Sequence, residues 1–244
     1  MRLTLIPGLT LVLSACCVFS QEPKGAPSPY EFKKVHDPNG TGKFFKGREI
    51  ALVMGYQAAA WLERPEREKE EQTSKLVKAL KLKPEMVVAD VGAGSGYLTF
   101  RMAKLLPKGK VFANDIQKEM LEILRKRAAE LKAANVEPVL GTETDPKLPN
   151  SGVDLIILVD VYHEFAFPLE MTQGMIKSLK PGGKLVFVEF RGEDPEVPIK
   201  LVHKMTVKQL LHEMKDHPLK YKETIGILPW QHIVVFEKVE RSQP

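Results

Sequence analysis

The feature that most limits what this chain can become is the run from Met86 to Gly96. Met86–Asp90 is short, apolar and rich in β-branched residues, as a buried strand is. It passes straight into Val91-Gly92-Ala93-Gly94-Ser95-Gly96, and helical spacing begins at Tyr97. Glycines at this density let the backbone turn sharply and let a ligand approach the main chain closely. The same alternation then repeats. Helix Tyr97–Leu106 precedes strand Val111–Asn114, and helix Gln117–Ala134 precedes strand Val136–Leu140. That second helix carries Met120, Leu121, Leu124, Ala128 and Leu131 on one stripe, with Asn135 as a left-handed C-cap. Val153–Val159 is apolar enough to be a strand buried on both faces. Leu169–Leu179 is helical, Pro181-Gly-Gly183 ends it, and Lys184–Phe190 is a fifth strand. A helix at Val207–Lys215 and strands at Tyr221–Ile225 and His232–Lys238 complete the chain. Such a pattern predicts an α/β fold, a mostly parallel sheet with helices on both faces.

The segments before Pro84 read differently. Residues 21–47 are taken as a linker and irregular stretch, with dense turn chemistry at Asp37-Pro-Asn-Gly-Thr-Gly42. Residues 48–83 are expected to form a helical cap. Arg48–Leu62 reads as one helix, and a second begins near Pro65 with Leu76, Val77 and Leu80 on its buried face. The charge run Glu63–Glu71 reads as a solvated face with internal ion pairs, the alternative being that Arg64 or Arg67 meets a ligand. The domain proper is placed at 84–240.

The glycine spacing narrows the ligand. Gly92, Gly94 and Gly96 form Gly-x-Gly-x-Gly, but Tyr97 stands where a dinucleotide fingerprint has its third glycine. Asp115 ends the second strand, twenty-three residues after Gly92. A carboxylate there can accept both hydrogen bonds of a ribose diol, and Ile116 can lie flat on an adenine ring. With these residues, Val153-Asp154-Leu155-Ile156 and Leu179-Lys180-Pro181-Gly182-Gly183, the sequence resembles the class I S-adenosylmethionine-dependent methyltransferases from about Leu76 to Val239. The resemblance implies a Rossmann-like seven-stranded sheet whose last strand is antiparallel, and S-adenosylmethionine as cofactor. It also implies that Gly92, Ala93, Gly94 and Gly96 line the cofactor's amino-acid portion, that Asp115 holds the ribose, and that Thr142 or Glu143 lies near adenine. Asp90 and Asp160 join the cofactor set, Asp90 by orienting the loop.

Methyl transfer from a sulfonium is an in-line displacement, so the protein chiefly positions the acceptor, and a base is needed only when the acceptor arrives protonated. The segment after the fourth strand, Asp160-Val161-Tyr162-His163-Glu164-Phe165, holds the candidates. His163 is a possible base, Glu164 its orienting partner and Tyr162 a wall of the pocket; the bland alternative is that His163 and Glu164 cap the next helix. Glu189 and Arg191 read either as further site residues or as a structural ion pair. His203, His212, His217 and His232 lack metal-ligand spacing and are read as surface or satisfied core histidines, so no metal is expected. Tyr56, Trp61, Arg64 and Arg67 are placed to cover the pocket.

Composition enters mainly by exclusion. Thirty-six basic residues stand against thirty-one acidic ones, a weak signal for a polyanion, and the Asn-Pro-Pro-Tyr type of tetrapeptide is absent after strand four, so no nucleic acid is expected. The only cysteines are Cys16 and Cys17, which excludes a disulfide core and a thiolate metal site in the globule. Residues 1–20 look like a signal peptide: Arg2, an apolar stretch Leu3–Leu13, then Leu13-Ser14-Ala15-Cys16, which resembles a bacterial lipobox. A plain cut after Ser20, or an unused leader on a cytosolic protein, are the alternatives. The expectation is an exported, periplasmic protein that meets a membrane only through a lipid on Cys16. Its function is expected to be methyl transfer to an O or N acceptor on a small or lipid-like molecule, with a protein carboxyl (isoaspartate-like) methyltransferase or a non-catalytic cofactor-binding module as alternatives. Export would place a cofactor-dependent enzyme where S-adenosylmethionine is not expected to be abundant.

Overall fold

A computed structural model describes residues 28–240; the leader, Cys16 and Cys17 lie outside the described residues. The main sheet has seven strands: β4 (Val87–Val91), β5 (Lys110–Asp115), β6 (Val136–Leu140), β7 (Val153–Val159), β8 (Leu179–Phe190), β9 (Leu219–Ile225) and β10 (Gln231–Lys238). Their order is β6-β5-β4-β7-β8-β10-β9. The first five pair in parallel, while β10 runs antiparallel to both β8 and β9. The reversal of strand order lies between β4 and β7, so their carboxyl ends form the crevice where open α/β sheets take ligands.

Burial explains why these segments are strands. Leu155, Ile156, Ile157 and Leu158 are all buried, because β7 is covered on both faces. Each such side chain contributes roughly 1.5–3 kcal/mol on leaving water. One core layer joins α2 (Thr73–Ala79), α3 (Thr99–Ala103) and α4 (Lys118–Glu130) to the sheet through Leu76, Met102, Leu121 and Leu124. The other packs α5 (Pro168–Ser178) and α6 (Val207–Met214) through Met171, Met175, Leu210 and Met214.

The structure corrects the sequence reading in several places. Residues 21–47 are not all irregular: β1 (Tyr30–Phe32) and β2 (Gly40–Phe45) pair with β3 (Arg48–Ala51) as a three-stranded antiparallel sheet. The stretch read as a helix from Arg48 is therefore β3 followed by a 3-10 helix, Tyr56–Glu63. Gly55 separates the two, and a continuous apolar run carries no period to tell strand from helix. In α4, Leu131 is exposed because the helix has ended by then. The left-handed residue is Lys132, not Asn135, whose amide instead donates to the carbonyls of Ala103 and Leu106 at 2.9 Å each. The charge run is a solvated face only in part: Glu63, Glu66, Glu68 and Lys69 are exposed and the internal ion pairs form, but in α1 (Arg67–Glu71) both Arg67 and Glu71 are buried. Arg67 Nε donates to Glu71 Oε2 at 2.8 Å, and Arg64 Nη2 to Glu71 Oε1 at 2.5 Å. Among the described residues no helix is long and apolar enough to cross a membrane.

Candidate functional site

The site begins where β4 stops. Gly92 and Gly94 adopt φ of +76° and +53°, a left-handed backbone that residues with a Cβ rarely hold. The turn is then locked to β5. The N–H groups of Gly92 and Ala93 both donate to the Asn114 carbonyl at 2.9 Å, and that of Gly94 donates to Asp115 Oδ2 at 3.0 Å. Asp115 Oδ1 accepts from Gln117 N at 2.9 Å. Each carboxylate oxygen of Asp115 thus keeps a lone pair for a further donor. Burial pushes this carboxyl above its ordinary range, against the pull of those backbone N–H groups.

A cavity of about 560 Å3 opens over this turn, within the range of small-ligand clefts. Gly92, Gly94, Asp115, Ile116, Thr142, Glu143 and Asp160 line it. Asp90, Ala93 and Gly96 do not. Asp90 is buried behind the turn, where Thr99 Oγ1 donates to its Oδ2 at 2.6 Å, and burial pushes its carboxyl up to about 6. A Cβ on Gly96 would strike Phe100 and Leu124, so that glycine serves helix packing rather than ligand approach.

Asp160 follows β7 directly at φ +52°, a left-handed backbone. Its Oδ2 accepts from Gln231 Nε2 at 2.6 Å, while Oδ1 is buried with no hydrogen-bond partner among the described residues. Burial, with the charges of Glu71 and Glu189, drives this carboxyl well above its usual range. Next comes the 3-10 helix Tyr162–Glu164, which divides the three predicted catalytic residues. Tyr162 does not shape the pocket. It is fully buried on the far side, donating to Glu213 Oε2 at 2.7 Å. His163 and Glu164 do face the cavity. His163 Nδ1 lies 2.6 Å from Glu189 Oε2, and Glu189 Oε1 accepts from Tyr162 N at 3.0 Å. Burial lowers the imidazole's proton affinity, but the charge and hydrogen bond of Glu189 more than reverse it, leaving His163 above its ordinary value. Glu164 is pushed up to about 7 by burial, and its Oε2 accepts from Met54 N at 3.3 Å.

Glu189 therefore pairs with His163 rather than with Arg191. Arg191 instead binds Asp194 at 3.1 Å and the carbonyls of Leu228, Pro229 and Gln231, which makes it structural. The residue that sequence reasoning missed is His203. It sits in the 3-10 helix Leu201–His203 and lines the cavity, with Nδ1 3.2 Å from His163 Nε2.

The N-terminal segments form the roof. Val53, Met54, Ala58, Trp61, Leu62 and Arg67 line the cavity, whereas Tyr56 and Arg64 do not. Arg64 stacks on Trp61 at 3.7 Å, and Leu62 approaches the space above Gly94. Two clamps hold the roof down. Glu63 accepts from Ser95 Oγ at 2.6 Å and pairs with Arg127. Arg48 of β3 donates from Nε to Glu213 Oε1 at 2.7 Å and from Nη1 to the His163 carbonyl at 3.1 Å.

A glycine turn at the switch point, a strand-end aspartate beside it and a cavity across the carboxyl ends of β4 and β5 agree with the comparisons. A family model described as "Methyltransferase domain" matches residues 82–239. The chain belongs to that family. Its fold is the class I methyltransferase fold, and S-adenosylmethionine is the family's cofactor. A protein-L-isoaspartate O-methyltransferase of Pyrococcus horikoshii is 33% identical over 105 residues, 43% of this chain and 44% of that one. A ubiquinone/menaquinone biosynthesis C-methyltransferase of Pseudomonas savastanoi is 30% identical over 105 residues, 42% of this chain and 41% of its own length. The chain thus spans less than half the length of these curated relatives. A solved SAM-dependent methyltransferase of Aquifex aeolicus superposes with a TM-score of 0.72 at 24% identity, covering 77% of this chain and all of that one. The [4+2]-cyclase SpnF shares the fold at a TM-score of 0.60 and 15% identity, covering 69% of this chain and 81% of its own. The fold therefore does not by itself fix the reaction.

The residues present fit the cofactor. A cationic sulfonium with an amino group and a ribose diol calls for acceptors and negative charge. The cavity offers Asp115 with free lone pairs, the orphaned Asp160 Oδ1, and Glu143 and Glu164. Ile116, partly exposed on the wall, supplies an apolar face for a base.

Proposed function

We propose that the chain transfers a methyl group from S-adenosylmethionine to an oxygen or nitrogen acceptor on a small or lipid-like molecule. When bound, the cofactor supplies an electrophilic methyl carbon; the remaining work falls to the chain's own residues. Asp115 and the Gly92–Gly94 turn hold the nucleoside and amino-acid ends, and Asp160 offers its unpaired oxygen to a donor of the cofactor. His163, with Nδ1 held by Glu189, turns Nε2 toward the acceptor end of the cavity, where the acceptor's proton must leave. The roof covers the cavity, and a wall that includes Val53, Trp61, Phe165, Pro198 and Ile199 favours an acceptor with an apolar body.

The observation that supports this reading is that Asp115, Asp160 and His163 all line one cavity. Isothermal titration with S-adenosylmethionine and its demethylated product, beside Asp115→Asn, tests it. Binding in the micromolar range that weakens at least tenfold in the variant is expected. No binding of either ligand to the folded wild-type protein refutes it. The protein carboxyl alternative rests on the isoaspartate methyltransferase relative, and transfer of label to an isoaspartyl peptide, which the small-acceptor reading does not predict, would favour it. The leader carries a further proposal, that the chain is exported and lipid-anchored through Cys16. Metabolic labelling with a fatty acid, lost in Cys16→Ser, is the expected result.

A further inference from the structure

We propose that His163, His203 and Glu164 bind a divalent transition metal at the acceptor end of the cavity, so that the acceptor oxygen meets the methyl group while held by that ion. The inference rests on the methyltransferase reading for its role, but the site itself stands on separate geometry.

Three ligand atoms converge from two segments far apart in sequence, and all lie within 4.8 Å of one another. His163 Nε2 is 3.2 Å from His203 Nδ1, and Glu164 Oε1 is 4.0 Å and 3.8 Å from them. A metal with bonds of about 2.0–2.2 Å to nitrogen and oxygen separates its ligand atoms by roughly 3–3.5 Å. The two histidines already stand at that spacing, and Glu164 closes by about half an ångström. Its Oε1 takes no hydrogen bond from the described residues, while Oε2 is held by Met54 N at 3.3 Å.

The surroundings are those of a metal site. A proton on His163 Nδ1, donated to Glu189 Oε2 across 2.6 Å, leaves the Nε2 lone pair directed into the cavity. Metal-bound histidines are fixed by such carboxylates. Glu189 is itself fully buried and anchored by Tyr162 N, so the imidazole plane cannot swing. The two imidazole nitrogens stand at hydrogen-bond distance with the Glu164 carboxylate oxygen beside both, and an ion bound among the three takes the place of that contact. Two imidazoles and one carboxylate suit Zn2+, Fe2+, Co2+ or Mn2+, and three protein ligands leave positions open.

An acceptor oxygen in an open position is acidified by the ion and loses its proton to solvent at neutral pH. Its lone pair then forms the C–O bond as the methyl donor's S–C bond breaks, the bonding pair staying on sulfur. The metal does not change oxidation state. This selects oxygen acceptors, hydroxyls or enols, over amines.

The test is a Co2+ and Zn2+ titration of the purified, tag-free chain after chelator treatment, without S-adenosylmethionine. Saturation at one ion per chain, with visible Co2+ bands of a four- or five-coordinate site, is expected. His203→Ala and Glu164→Gln should each weaken binding at least tenfold, and Glu189→Gln about 10–100-fold through loss of orientation. His212→Ala, an exposed histidine elsewhere, should leave it unchanged, and circular dichroism reports whether each variant is folded. Wild-type protein that takes up neither ion below about 100 μM, or ion uptake indifferent to both ligand variants, overturns the proposal. Because cofactor binding is read separately with Asp115→Asn, failure of the metal site and failure of the methyltransferase reading leave different signatures.

Discussion

Replacing Glu213 by glutamine tests whether the roof is held by a buried charge pair. The Glu213 carboxylate is fully buried and accepts from Arg48 Nε at 2.7 Å, Arg48 Nη2 at 3.2 Å, Tyr162 Oη at 2.7 Å and Gln209 Nε2 at 2.8 Å. Glutamine keeps the shape and one acceptor oxygen but removes the charge facing a guanidinium whose side chain is only 9% exposed. Breaking a buried pair from one side typically costs 3–5 kcal/mol, and the surviving acceptor places this variant near the lower end, about 3 kcal/mol. For a chain of this size that lowers the melting temperature by roughly 6–12 °C. Arg48→Met leaves the opposite partner stranded and also frees the His163 carbonyl, so it should destabilise comparably. The double variant restores neutrality, and its loss should be about 2 kcal/mol smaller than the sum of the single losses. Urea unfolding of the four proteins, with tryptophan fluorescence as the signal, measures the cycle. Single losses below about 1 kcal/mol with an additive double variant would show that the pair does not hold β3 to α6.

Three other outcomes are expected. The Asp90 carboxyl, raised by burial to about 6, holds its proton more tightly in the folded state than in the unfolded one. Its contribution is therefore full below about pH 4 and is lost as pH rises through 6, so Asp90→Asn should match wild type at pH 4 and exceed it by roughly 1–3 kcal/mol at pH 7; parallel stability–pH curves would contradict this. Glu63→Gln weakens the clamp on Ser95 and Arg127, and S-adenosylmethionine should dissociate about tenfold faster in stopped-flow traces with little change in melting temperature. Gly94→Ala forces a Cβ onto a backbone at φ +53° and to 2.6 Å from Leu62 Cδ1; it should cost about 1–2 kcal/mol and abolish measurable cofactor binding, whereas unaltered titration curves would mean the turn has another use.

The central sheet was legible because its strands are short apolar runs punctuated by glycine and proline, and β7 could be read almost to the residue. Asp115 was legible for the same reason, as a charge at the tip of such a run. What escaped the sequence depends on distant closure. His203 looks like a stray histidine forty residues from His163, and nothing local says that an isolated bridge between Arg191 and Met205 folds its segment back over the strand ends. Arg67 and Glu71 lie in a run of charges that exposure would suit as well as burial; only packing of the roof on Tyr97, 4.5 Å from the Arg67 guanidinium, decides it. Tyr162 sits between two cavity residues in the chain yet faces away, because a 3-10 turn sends neighbouring side chains in different directions.

The Arg48–Glu213 contact joins positions 165 residues apart, and it has a consequence for how the protein comes into being. Synthesis releases the roof first and its distant anchor on α6 almost last, after every cavity-lining segment has already emerged. Until then β3 has no counter-charge and His163 no fixed carbonyl, so a nascent or C-terminally clipped chain carries the complete set of pocket residues without a pocket. Cleavage anywhere before α6 should silence the protein as surely as loss of Asp115, although among the described residues none beyond His203 lines the cavity.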